Sequence, residues 1–190
     1  MMDRRNIVLV GPMGSGKSTV GQALAMRLGR PHVDTDHFFV ARHGPIPEYF
    51  ALHGEPAFRA EEERIVAELL DSPRPSVISL GGGSVLSART RQALESHMVV
   101  MLEMTEEQAA LRLGDGATRP MLTRDGGDPV QRWKEVRDER EPLYRRCADV
   151  VVTAEDATIE QRVDTIVSEV SRDQPARPRP RSGDPRRDES

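Results

Sequence analysis

At 190 residues the chain has room for one ordinary domain, or one domain with an extension. A hydrophobic fraction of 37% supports a real core. A formal net charge of −4 and an aromatic content of 4% argue against a nucleic-acid surface, which relies on cations and base-stacking rings.

In chain order, Asn6–Val10 is a short apolar, β-branched run that stops at Gly11, as a buried strand does. After a glycine-rich turn, Val20, Leu24 and Leu28 recur every four residues and predict a helix. A second strand ends at Val33-Asp34-Thr35-Asp36. Further apolar runs at Ser76–Leu80, Met98–Leu102 and Val150–Thr153 read as three more. Helical patterns occupy Ala57–Leu70, Ser87–Ser96, Thr105–Leu113, Pro129–Arg146 and Thr158–Ser171. Apolar strands alternating with helices predict an α/β fold in three layers, a parallel sheet covered on both faces.

Residues 113–128, rich in glycine and charge around Arg119-Pro120, read as a mobile surface segment. Residues 173–190, rich in proline and arginine, read as a disordered tail behind a single domain at 1–172. No apolar run approaches the roughly 20 residues needed to span a bilayer. Met1–Arg5 runs straight into the first strand without a signal-peptide core, so the cytoplasm is the expected compartment. The lone Cys147 fits a reducing environment and reads as a buried structural thiol. The histidines at 32, 37, 43, 53 and 97 share no metal-ligand spacing.

Gly11-Pro-Met-Gly-Ser-Gly-Lys-Ser-Thr19 fits G-x-x-x-x-G-K-[ST] between a strand and a helix, the setting that a phosphate-binding loop requires. The backbone N–H groups of Gly14, Ser15, Gly16, Lys17, Ser18 and Thr19 can converge on phosphates at a helix N-terminus. Lys17 suits the β- and γ-phosphates of ATP, and the Ser18 hydroxyl suits Mg²⁺. Of 27 basic residues only Lys17 and Lys134 are lysine, and a chance match is on the order of one in a thousand. Lys134 is followed by Glu135-Val136, so the Asn-Lys-x-Asp motif of GTPase switches is missing there. The length favours a small-molecule or nucleotide kinase.

Five further features are ambiguous singly. Asp34 and Asp36 at a strand end can serve Mg²⁺ and a substrate hydroxyl, or the pair can simply cap the next helix. Arg59 lies one helical turn from Glu55 and from Glu62–Glu63, which can orient it as a carboxylate clamp or leave it on a solvated face. Gly81-Gly82-Gly83 permits a ligand to approach the backbone, or is a plain tight turn. Arg119-Pro120 and Arg140 before Pro142-Leu-Tyr144 are weak signals alone.

Together, Gly-Pro-Met-Gly-Ser-Gly-Lys-Ser-Thr, Asp-Thr-Asp, Gly-Glu-x-x-Phe-Arg-x-x-Glu, Leu-Gly-Gly-Gly, Arg-Pro-Met-Leu and Arg-x-Pro-Leu-Tyr occur in an order and spacing that resembles the shikimate kinases, over roughly residues 5–170. The resemblance implies a fold like the nucleoside monophosphate kinases, with a five-stranded parallel sheet, a lid and a helical substrate-binding region. It implies ATP:shikimate 3-phosphotransferase activity in aromatic amino-acid synthesis. Composition and hydropathy call for neither nucleic acid nor membrane, and nothing in the sequence demands more than a monomer. By motif, Asp36 meets the shikimate hydroxyls and is the candidate base, with Asp34 near the metal. Arg59 and Arg140 hold the carboxylate, Gly81, Gly82 and Gly83 pack on the ring, Arg119 reaches the phosphates from the lid, and Arg112 lies on the adenine. Thr153-Ala-Glu-Asp-Ala-Thr158 departs from the Asn/Arg/Pro-containing loop usual near the adenine. Two other readings are a kinase for another small hydroxy acid such as gluconate, and a nucleotide-binding module without turnover.

Overall fold

The structure, a computed structural model, describes residues 5–113, 128–153 and 158–172. The expected lid apart from its two end residues, with Arg119, lies outside the described residues, as do 154–157 and the tail at 173–190.

Five strands form one parallel sheet: β1 (Ile7–Val10), β2 (His32–Asp34), β3 (Val77–Ser79), β4 (Met98–Leu102) and β5 (Val150–Val152), in the order β2-β3-β1-β4-β5. Seven α-helices lie among the described residues, with one 3-10 turn at Ser84–Leu86: α1 (Lys17–Leu28), α2 (Thr35–His43), α3 (Ile46–Leu70), α4 (Ala88–Leu94), α5 (Glu106–Leu113), α6 (Pro129–Cys147) and α7 (Ile159–Ser171). Each strand expected from the sequence is present to within a residue or two.

Strand side chains alternate between faces, and two aliphatic cores result. Ile7, Leu9, Val100 and Leu102 pack with Val20 and Leu24 of α1 and with Val163 and Ile166 of α7. Val8, Val10, Ile78 and Met101 pack on the other face with Val66 of α3, Leu94 of α4 and Tyr144 and Cys147 of α6. The sheet is therefore covered on both sides, and Cys147 is buried as expected.

The largest departure from expectation lies between β2 and Ala57. Residues 35–43 form α2, and α3 begins at Ile46 rather than Ala57. Pro45, Pro47, Gly54 and Pro56 look like helix breakers in sequence, but proline is tolerated in a first helical turn, where its missing N–H has no intrahelical partner anyway. Gly54, at φ 79°, then breaks the helical path and lets the next segment restart in a new direction. The α2–α3 unit has its own small core of Phe39, Phe58 and Ile65, flanked by Phe38, Tyr49 and Phe50. The scarce aromatics are concentrated here. Phe39 stands edge-on to Tyr49 at 5.0 Å, an arrangement favoured by the ring quadrupoles.

Candidate active site

In an open parallel sheet, ligands gather beyond the carboxyl ends of the strands where the strand order reverses. The glycine-rich loop follows β1, Asp34 ends β2 with Asp36 just beyond it, and Gly81–Gly83 follows β3. Because β2, β3 and β1 are neighbours, motifs far apart in sequence open onto the same end of the sheet.

The phosphate loop enters α1 through Gly16 at φ 92°, a left-handed conformation that costs glycine nothing. Nζ of Lys17 donates to the carbonyls of Gly11 and Pro12, both at 2.9 Å, which places its charge inside the loop. Behind it, the Ser79 hydroxyl donates to the Lys17 carbonyl at 2.9 Å and lies 3.0 Å from Nε2 of His32. Burial lowers the basicity of that histidine. Gly14, Gly16, Lys17, Ser18 and Thr19 line a cleft of about 850 Å³ together with Asp34, Asp36 and Arg112. Ser15 is fully buried behind them.

Asp34 does two things at once. Its Oδ1 accepts from the backbone N–H of Asp36 at 3.0 Å and of His37 at 3.2 Å, capping α2. Its Oδ2 accepts from the Ser18 hydroxyl. The cap and the contact with Ser18 coexist because a carboxylate has two oxygens.

Asp36 is open to the cleft, and partial loss of solvation, then Asp34, then Glu62 push its carboxyl up to about 6. It also lines a smaller adjoining cavity of about 160 Å³ with Arg59, Glu62, Gly81, Gly82, Gly83, Arg140 and Tyr144. Asp36 and Gly82 thus stand where the two cavities meet.

Arg59 is pinned rather than solvated. Nη1 donates to Oε2 of Glu62 at 2.7 Å, and Nη2 reaches Oε1 of Glu55 at 3.5 Å. Glu62 is buried, and its other oxygen accepts from the Ser84 hydroxyl at 2.8 Å. Glu63, expected to share in holding Arg59, turns away to Ser87 at 2.6 Å and Arg89 at 3.3 Å. The Nε atoms of Arg59 and Arg140 are buried without a hydrogen-bond partner, the condition of donors prepared for an anion. A Cβ on Gly83 would run into the Arg59 guanidinium, and one on Gly81 would lie 2.7 Å from Oδ1 of Asp36.

Three features escaped the sequence reading. Tyr144 is buried, its hydroxyl donates to the Gly82 carbonyl at 2.5 Å, and burial pushes that hydroxyl up to about 12. Its place in Arg-x-Pro-Leu-Tyr was the available signal. Trp133 donates from Nε1 to the Met13 carbonyl at 2.9 Å, tying α6 to the phosphate loop. Arg162 on α7 donates from Nη1 to the Ser15 carbonyl at 3.0 Å, and nothing local in the sequence marks it. Arg112, expected against the adenine, places Nη1 on the Gly14 carbonyl at 3.0 Å. Arg119 lies outside the described residues.

Among the described residues, no group of three or more His, Cys, Asp or Glu side chains is placed to hold a metal ion. The hydroxyl of Ser18 and the carboxylate of Asp34 are hard oxygen donors, and such a pair fits Mg²⁺ that completes its shell with phosphate and water.

A profile of the shikimate kinase family matches residues 13–171. A shikimate kinase of Rhodococcus jostii (strain RHA1) is 42% identical over 165 residues, covering 86% of this chain and 96% of that protein. The solved shikimate kinase of Acinetobacter baumannii in complex with shikimate superposes with a TM-score of 0.83 at 32% identity, covering 90% of this chain and 95% of that one. A gluconokinase of Sinorhizobium meliloti 1021 is a more distant neighbour, with a TM-score of 0.57 at 25% identity over 89% of this chain and 93% of its own. In motifs, fold and extent of match, the chain belongs to the shikimate kinase family.

Proposed function

We propose that the protein transfers the γ-phosphoryl group of ATP to the 3-hydroxyl of shikimate, giving shikimate 3-phosphate and ADP on the route to aromatic amino acids. The observation that carries this reading is the position of Asp36, which lines both the phosphate-loop cleft and the pocket holding Arg59 and Arg140. Shikimate carries a carboxylate and three hydroxyls. Guanidinium groups suit the first and a carboxylate suits the second.

The roles follow from this placement. Arg59 and Arg140 bind the substrate carboxylate, and Glu55 and Glu62 keep Arg59 from swinging out. Gly81, Gly82 and Gly83 let the ring approach the backbone. Asp36 accepts the proton as the hydroxyl oxygen attacks the γ-phosphorus and the bond from phosphorus to the ADP oxygen breaks. A carboxylate held at about 6 is mostly ionised at neutral pH and a better base than an ordinary aspartate. The amides of residues 14–19 and Lys17 orient the phosphates, so the rate comes from positioning and charge stabilisation more than from covalent chemistry. Ser18 and Asp34 would hold Mg²⁺, which when bound would neutralise charge on the phosphate oxygens.

In this reading one catalytic domain spans residues 1–172, every described group comes from one chain, and a cytoplasmic monomer suffices. Among the described residues no helix is long and apolar enough to cross a membrane. The test is ADP release with shikimate, with gluconate and with no acceptor. Stimulation by shikimate alone is expected. Equal rates in the three arms would return the chain to a nucleotide-binding module, and preference for gluconate would reassign the acceptor.

A further inference from the structure

The phosphate loop is held from outside by two arginines from distant parts of the chain. Arg112, at the end of α5, donates to the Gly14 carbonyl at 3.0 Å. Arg162, in the first turn of α7 and 147 residues from its partner, donates to the Ser15 carbonyl at 3.0 Å. Both guanidinium groups lie beside Gly16, where a Cβ would come within 3.9 Å of Nη1 of Arg162 and 4.0 Å of Nη1 of Arg112. The two contacts differ in setting, since Arg112 is exposed while Arg162 is buried at 3% exposure. Arg162 is carried there by a helix anchored through Val163 and Ile166 in the core and started by a capping box between Thr158 and Gln161.

A trans peptide unit points its C=O and the following N–H in opposite directions. A guanidinium holding the Gly14 carbonyl therefore turns the Ser15 N–H the other way, and one holding the Ser15 carbonyl does the same to the Gly16 N–H. The Ser15 N–H donates within the loop, to the Pro12 carbonyl at 3.3 Å, the same oxygen that the Lys17 ammonium reaches, so the plane held by Arg112 closes the loop and the plane held by Arg162 presents the Gly16 N–H. We propose that Arg162 is a positioning residue for the nucleotide, which with Arg112 fixes two successive peptide planes so that the Gly16 N–H faces the phosphates. Burial and the nearby Arg112 both disfavour the charge on Arg162, so an arriving polyanion relieves the pair in addition to meeting the amides. The inference rests on a nucleotide being the phosphoryl donor, and goes beyond it in giving α7 a part in binding that donor.

The experiment compares the full-length wild type with Arg162→Met and Arg162→Lys. It measures ADP binding by titration calorimetry, the KM values for ATP and shikimate, and Tm. Arg162→Met is expected to raise the ADP Kd and the ATP KM about tenfold, the loss of one charge-assisted hydrogen bond, with the shikimate KM within about twofold of wild type. Arg162→Lys keeps a charged donor without the planar fork and is expected to raise the ADP Kd only about two- to threefold. An ADP Kd for Arg162→Met within about twofold of wild type overturns the proposal. So does a parallel rise in both KM values with equal losses in the two variants, the mark of disturbed packing alone. If Arg162→Met does not fold, Arg162→Lys decides: a raised ADP Kd with unchanged shikimate KM supports the clamp, and a wild-type Kd removes it. Calorimetry with ADP needs no acceptor, so a failure of shikimate to be phosphorylated counts against the proposed function and leaves this result readable.

Discussion

The two halves of the site are built in opposite ways. The phosphate half is one continuous loop between β1 and α1, and its working surface is backbone: glycines, amides and a helix start. The proposed acceptor half is assembled from α2, α3, the loop after β3, and α6, and the groups proposed to work there are side chains: Asp36, Arg59 and Arg140, steadied by Glu62 and Tyr144. The cores beneath them differ too, aliphatic under the loop and aromatic in the α2–α3 unit. A backbone site is secured by local chain geometry, whereas a side-chain site depends on each tie between distant elements. Single substitutions should therefore act on one substrate at a time.

The sharpest way to break this division is Asp36→Asn. Removing the proposed base is expected to lower kcat by roughly 10²- to 10⁴-fold while the ADP Kd stays within about twofold of wild type. A comparable loss of ADP binding would show that the halves are not separable at their junction. Single-turnover measurements with calorimetry decide this.

Wild-type enzyme should also lose kcat/KM as pH falls through about 6, because the base must be ionised. A profile flat to pH 5 would remove Asp36 from the proton transfer.

Arg59→Lys comes next. Lysine keeps the charge but lacks the fork, and the shikimate KM is expected to rise about tenfold with the ATP KM unchanged. Steady-state kinetics with each substrate varied provide the check.

Gly83→Ala reaches the same clamp indirectly. The new methyl group displaces the far end of a flexible arginine, so Tm should hardly move while the shikimate KM rises several-fold. A large drop in Tm with an unchanged KM would make Gly83 a folding residue instead.

The smallest effects concern stability. Tyr144→Phe leaves the Gly82 carbonyl without its side-chain donor and should cost about 1 kcal/mol, measured by denaturant unfolding. For Asp36, whose folded-state pKa is raised, the ionised form opposes folding at neutral pH. Asp36→Asn should therefore raise Tm at pH 7, and the gain should vanish below about pH 4, where the carboxyl is protonated in both states.

The strands, most helices and the phosphate loop were legible because each is written in a contiguous stretch: period-two or continuous apolar runs, four-residue spacing, and glycines at fixed offsets. Residues 35–56 were not, since their prolines and Gly54 mimic a loop while in fact starting and breaking helices. Glu63 shows the same limit at the level of one side chain. Its helical spacing from Arg59 was as good as that of Glu62, yet packing against α4 directs it to Ser87 and Arg89.

By itself, then, the sequence determined the α/β class, the parallel alternation and the family, because backbone chemistry and apolar periodicity are local properties. Tertiary structure alone decided which acid pins Arg59, that Asp34 both caps α2 and meets Ser18, that Asp36 stands between two cavities, and that Arg162 grips the loop from α7. Those outcomes depend on which side chains are brought together through space, and the strand order β2-β3-β1-β4-β5 sets that across the whole length of the chain.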